Sequence, residues 1–81
     1  MEKLEILKKL KSIFEEVFET EGIVLKDETT ASDISEWDSI NHIYLIVEIE
    51  KKFKVKFTTH EIQTWKNVGE MIESIKNRIA Q

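Results

Sequence analysis

Apolar residues recur at Leu4, Ile6, Leu7, Leu10, Ile13, Phe14, Val17 and Phe18, separated by lysines and glutamates. At about 100° per residue these positions share about 140° of a helix circumference. The spacing predicts an amphipathic helix over roughly residues 2–19, with Gly22 as a stop signal just beyond it. The period then lapses. Residues 20–38, TEGIVLKDETTASDISEWD, are rich in Thr, Ser, Asp and Glu, with scattered Ile23, Val24, Leu25, Ile34 and Trp37. A loop this long is uncommon in a compact domain, and its apolar residues predict that it packs onto the core. Helical spacing returns from about Ser39 to Phe53. KVKF then alternates, which predicts an extended linker dipping Val55 and Phe57 inward. Thr58 followed three residues on by Glu61 is a capping-box pattern and predicts a short third helix. Asn67 and Glu70 repeat the device, and Val68, Met71, Ile72, Ile75 and Ile79 mark one face of a last helix. These elements predict a single all-α domain over residues 1–81, a four-helix bundle with a long first loop and a short third helix.

The second helix has an unusual pattern. Ile40, Ile43, Tyr44 and Val47 fall on one side of it. Leu45, Ile46, Ile49 and Phe53 fall nearly opposite, with Asn41, Glu48, Lys52 and Glu50 between the two groups. A surface helix ordinarily carries one apolar stripe. Two stripes mean either a helix buried on both sides or one face for the core and one for a partner or an apolar cargo. The stripe that opens at Ile40 begins one residue after Ser39.

Composition narrows the function. The chain has 81 residues, 12 basic against 16 acidic, a net charge of −4, no cysteine, no proline and two glycines. A chain of this length buries roughly 60–65% of its unfolded surface, so a deep enclosed catalytic pocket is hard to build. The absence of cysteine excludes disulfides, thiolate zinc sites and a thiol nucleophile of the chain's own. The acidic balance argues against nucleic acid, whose phosphates need a basic face. No apolar stretch reaches the ~18 residues that span a bilayer, and the N-terminus lacks a secretory apolar region. A soluble, cytoplasmic monomer is the expectation.

The candidate chemistry centres on Ser39. Asp38, Ser39 and His42 form a nominal hydrolytic set, but a three-residue spacing on a helix follows from helix geometry, and no glycine-rich oxyanion turn accompanies it. His42 reads instead as a surface or partner-contact residue and His60 as a polar residue in the first turn of the third helix. Residues 27–38 resemble a calcium loop only at Asp27 and Asp38. Ala31 fills a ligand position and Ser32 replaces the required glycine, so no metal site is assigned. Taken alone, Asp38 and Ser39 read as helix caps. Trp37 and Trp65 read as aromatic anchors for their segments.

DSI at residues 38–40 resembles the Asp-Ser-Leu signature of acyl carrier proteins. The resemblance runs along nearly the whole chain: an amphipathic first helix, a long loop, the signature opening the second helix, EIEKKFKVKF closing it, a short third helix, and TWKNVGEMIESI leading into the fourth. It implies that Ser39 is the attachment site of 4′-phosphopantetheine, with Asp38 as flanking signature. A separate phosphopantetheinyl transferase would move the arm from coenzyme A, making this a phosphoprotein whose borrowed thiol holds acyl groups as thioesters. The chain would then be no enzyme but a carrier serving acyl-loading and condensing enzymes of fatty-acid, polyketide or related biosynthesis. A phosphodiester there would sit at a helix N-terminus, which favours an anion. By the same resemblance Ile40, Ile43 and Val47 occupy the partner-facing stripe, and Leu45, Ile46, Ile49 and Phe53 face the interior and any acyl chain lodged there. Tyr44 stands where the fatty-acid carriers have an acid, and Lys51 and Lys52 replace acids near the helix end, while Glu48 and Glu50 remain. WDSINHI looks more like free-standing carriers of specialised pathways, whose partners read Trp37, Asn41, His42 and Tyr44 as well as charge. The alternatives are an aminoacyl or peptidyl carrier within the family, and a helical protein-interaction module without a prosthetic group.

Overall fold

The structure is a computed structural model that describes residues 2–79; Met1, Ala80 and Gln81, which the expected 1–81 domain includes, lie outside the described residues. Four helices follow one another: α1 Lys3–Phe18, α2 Ser39–Phe53, α3 Thr59–Thr64 and α4 Val68–Ile79. Among the described residues there is no strand. The expected all-α bundle with a long first loop and short third helix is what forms.

α1 is the central helix. It packs on both α2 and α4, burying Ile6, Leu10, Ile13, Phe14 and Phe18. Leu45, Ile49 and Phe53 of α2 meet this row, as do Val68, Met71, Ile72 and Ile75 of α4. The first stop signal differs from expectation. α1 ends at Glu19, held at φ 52°, whose N–H donates to the Glu15 carbonyl. Gly22 instead makes the next turn at φ 75°, where it and Ile23 donate their N–H groups to the Glu15 carboxylate at 2.7 and 3.1 Å. Glu15 therefore stops the chain with both its carbonyl and its side chain. The end of α2 repeats the left-handed device at Lys54, φ 56°.

The long loop is pinned in place by four of its five apolar residues, while Val24, expected to pack with them, points to solvent at 69% exposure because its neighbours Ile23 and Leu25 take the inward face. Ile23 and Leu25 are buried, and Ile34 and Trp37 pack against the core. The loop also contains a 3-10 turn, Ala31–Asp33, fixed by a reciprocal Thr30–Asp33 capping box. Three residues are too few to show a helical period, and the Thr30–Asp33 spacing is the one mark that the turn leaves in the sequence. Its middle section caps α4: Val68 donates to the Thr29 carbonyl at 2.9 Å and Gly69 to the Asp27 carbonyl at 2.8 Å. Two of the amides that every helix N-terminus leaves orphaned are thus satisfied by a segment some forty residues earlier in the chain. A Cβ on Gly69 would lie 3.0 Å from that Asp27 oxygen, so the close approach explains the glycine. The predicted Thr58–Glu61 capping box is complete in both directions, and Asn67 accepts the Glu70 N–H at 2.9 Å.

Candidate functional site

The start of α2 assigns each residue of the signature a separate task. Asp38 is the N-cap, and its carboxylate accepts the Asn41 N–H at 2.8 Å. Its carbonyl accepts the His42 N–H at 2.8 Å. Ser39 is the first helical residue, exposed to solvent. Its hydroxyl makes no hydrogen bond with another described residue. The capping role is therefore filled by Asp38 alone, and the Ser39 hydroxyl is spare.

Behind this serine the entry loop is held rigid. The Asn41 side-chain amide donates to the Glu36 carbonyl at 2.8 Å. The Trp37 indole N–H donates to Nδ1 of His42 at 2.9 Å, so the two rings meet edge to edge, with centroids 6.1 Å apart and planes within 24° of each other. Trp37 also meets the fully buried Phe14 edge-on at 5.0 Å. His42 is thus half-buried rather than a surface residue, and burial holds its imidazole below the ordinary value of 6.5. Its Nδ1 is taken by Trp37, and no Ser39–His42 hydrogen bond exists among the described residues, so no hydrolytic relay is assembled. His60 is exposed near the start of α3.

A groove of about 400 Å³ opens beside Ser39. Trp37, Asp38, Ser39 and His42 form one side, Trp65, Lys66 and Asn67 the other, and Ala31 and Met71 complete the lining. Trp65 is fixed by its indole N–H donating to Ser74 at 2.7 Å and by an edge contact with Phe57.

The two stripes of α2 resolve clearly. Leu45 and Ile49 are fully buried, and Ile46 and Phe53 nearly so. Ile40, Ile43, Tyr44 and Val47 are 65%, 63%, 58% and 48% exposed, which rules out a helix buried on both sides. The expected partner face divides in two: these four stand free, whereas Trp37, Asn41 and His42 are half-buried and engaged in holding the loop. Neither remaining acid is free of partners. Glu48 pairs with Lys51 at 3.6 Å, and Glu50 accepts the Phe57 N–H at 2.9 Å.

Comparison with known proteins bears directly on this arrangement. The phosphopantetheine attachment site family matches residues 8–75. The chain belongs to the acyl carrier protein family. Its fold is similar to the solution NMR structure of a holo acyl carrier protein from Geobacter metallireducens, with a TM-score of 0.87 and 43% identity over 93% of this chain and 86% of that one. Among the curated proteins none matches. The prosthetic group of the family is covalent 4′-phosphopantetheine, and the residues present fit it: an exposed hydroxyl with no hydrogen bond to a described residue lines a groove that also holds two indole rings, the Asn67 amide and the Lys66 ammonium. Among the described residues no helix is long and apolar enough to cross a membrane.

Proposed function

We propose that Ser39 carries the 4′-phosphopantetheine arm and that the chain presents acyl groups to separate biosynthetic enzymes. The observation that carries this reading is the division of labour at the head of α2. Asp38 caps the helix, leaving the Ser39 hydroxyl exposed beside both the groove and the apolar stripe. Nothing nearby activates that hydroxyl, which suits an acceptor whose base and metal come from the transferase. The terminal thiol of the bound arm holds the acyl group as a thioester, a function the cysteine-free chain cannot supply itself.

Each part of the site then has a physical task. The Ser39 and Ile40 amides, which the Asp38 cap leaves to solvent, adjoin the phosphodiester and favour its charge. Ile40, Ile43, Tyr44 and Val47 meet the transferase and the loading and condensing enzymes, with burial of their exposed area as the driving force. Leu45, Ile46, Ile49 and Phe53 form the apolar interior available to an acyl chain. Because Glu48 and Glu50 are engaged within the chain and Tyr44 replaces an acid, recognition rests on apolar and aromatic contact more than on acidic charge. That supports service to a specialised pathway rather than housekeeping fatty-acid synthesis.

Intact mass spectrometry tests the attachment. The protein is incubated with coenzyme A, Mg²⁺ and a promiscuous phosphopantetheinyl transferase. One phosphopantetheine adduct is expected on the wild type and none on Ser39→Ala; folded wild-type protein without an adduct would leave the chain a helical interaction module. Equal turnover by a housekeeping ketosynthase set, unaffected by Tyr44→Glu, would count against the specialised role.

A further inference from the structure

The hydrogen bond between Trp37 and His42 has a direction that constrains both rings. An indole N–H can only donate. Nδ1 of His42 must therefore be the unprotonated nitrogen, and the neutral ring carries its proton on Nε2. The pair also stands at a junction. Trp37 rests on Phe14 and Phe18 of the core, while it and His42 line the groove at Ser39. Packing on Phe14 restrains one edge of the indole, and the His42 acceptor restrains its N–H edge.

We propose that His42 is a positioning residue: by accepting the Trp37 indole N–H it fixes that ring as the side wall of the Ser39 groove, and the wall is released when His42 takes a second proton. The proposal rests on the reading that Ser39 carries the arm, which lies against this wall when drawn back onto the protein. Protonation turns Nδ1 into a donor facing another donor, so the bond cannot survive it.

The charged groups around the pair oppose one another. Asp38 and Lys66 are the two ionic groups that share the groove with His42, one of each sign. The Glu36 carboxylate is turned to the Ser35 hydroxyl, and Phe14 and Phe18 present no charge. Burial favours the neutral ring. The wall is therefore in place at and above the ordinary histidine value of 6.5 and is lost as pH falls through the lower value that burial gives His42.

The test uses ¹⁵N-labelled protein, unmodified and arm-bearing, followed by NMR across pH. In the unmodified wild type the Trp37 indole N–H should shift with the same midpoint as the His42 ring nitrogens, below 6.5. The Trp65 indole N–H, which donates to Ser74, should not follow. His42→Gln keeps an acceptor and should keep the indole protected. His42→Phe keeps a flat ring without an acceptor and should speed indole exchange by about three- to tenfold, the scale of one net hydrogen bond. In arm-bearing protein, contacts between arm protons and the Trp37 ring should be present in wild type and His42→Gln and lost in His42→Phe. An indole N–H indifferent to His42 titration overturns the proposal, and that measurement needs no variant to fold. Arm contacts unchanged in His42→Phe overturn the positioning role. A wall that titrates as described on a protein whose Ser39 never accepts the arm overturns the attachment reading and the positioning role while leaving the hydrogen bond in place.

Discussion

Ile43 and Ile49 lie six residues apart on α2, and truncating each to alanine should have opposite consequences. Ile49 is fully buried in the cluster that joins α1, α2 and α4. Its replacement removes buried carbons and leaves a cavity, a loss of about 2–5 kcal/mol. In a domain of this size about 1 kcal/mol shifts the melting temperature by about 4–8 °C, so Ile49→Ala should melt at least about 8 °C lower. Ile43 is 63% exposed, and most of its side chain already meets water. The small transfer loss is offset by the better helix propensity of alanine, worth about 0.4 kcal/mol, so stability should move by no more than about 0.5 kcal/mol. Its cost should appear in encounter with partners. Truncating an interface contact worth about 1 kcal/mol lowers transferase kcat/KM about fivefold. Urea unfolding followed by circular dichroism measures the first quantity, and the rate of adduct formation by intact mass measures the second. An Ile43→Ala protein that loses more than about 1 kcal/mol, or one modified at the wild-type rate, refutes the assignment of the outer stripe to partners.

Other expectations follow from single contacts. Asp38→Ala should cost about 1 kcal/mol in urea unfolding because the Asn41 N–H loses its acceptor, while Ser39→Ala should stay within about 0.5 kcal/mol; equal losses would mean that Ser39 shares the cap. Gly69→Ala sets a helix-propensity gain of under about 1 kcal/mol against displacement of the Asp27 carbonyl and weakening of two capping bonds worth about 1 kcal/mol each, so a lower melting temperature is expected and a raised one would show that the loop yields freely. The Thr58 backbone amide and the Arg78 guanidinium hold the Glu61 carboxyl below its ordinary value of 4.5. That contribution is complete above 4.5 and disappears as pH falls through the lower folded value, so stability should decline in acid, and Arg78→Gln should flatten the slope.

Local chemistry made much of the fold legible. The capping box at Thr58 and the Asn67 cap work through partners three residues away, although Glu70 does not return the bond to the Asn67 N–H, and the helix periods need only neighbouring turns. The 3-10 turn carries the same three-residue signature, Thr30 to Asp33, but is too short to show a period beside it, and the Glu15 stop was not legible because a carboxylate reaching seven and eight residues ahead leaves no spacing signal. At the candidate site Asp38 and Ser39 stood out as a pair in the sequence, but their roles did not. Either could cap a helix, and only the Asn41 N–H bond shows that Asp38 does so.

The sequence by itself determined the helices, the residues sharing each face, and the coincidence of an unactivated serine with the head of a two-striped helix. Those properties depend on side-chain type and on a backbone period that is the same in any surroundings. The tertiary structure decided which stripe is covered. α1 packs over the face of α2 that carries Leu45 and Ile49, so Ile40, Ile43, Tyr44 and Val47 remain outside. It also drew Trp37 and His42 inward from the expected partner face, because an indole bridging Phe14 and an imidazole acceptor exists only once the loop has folded onto α1. Burial and long-range hydrogen bonding are properties of what arrives on the other side of a residue, and no local spacing specifies that.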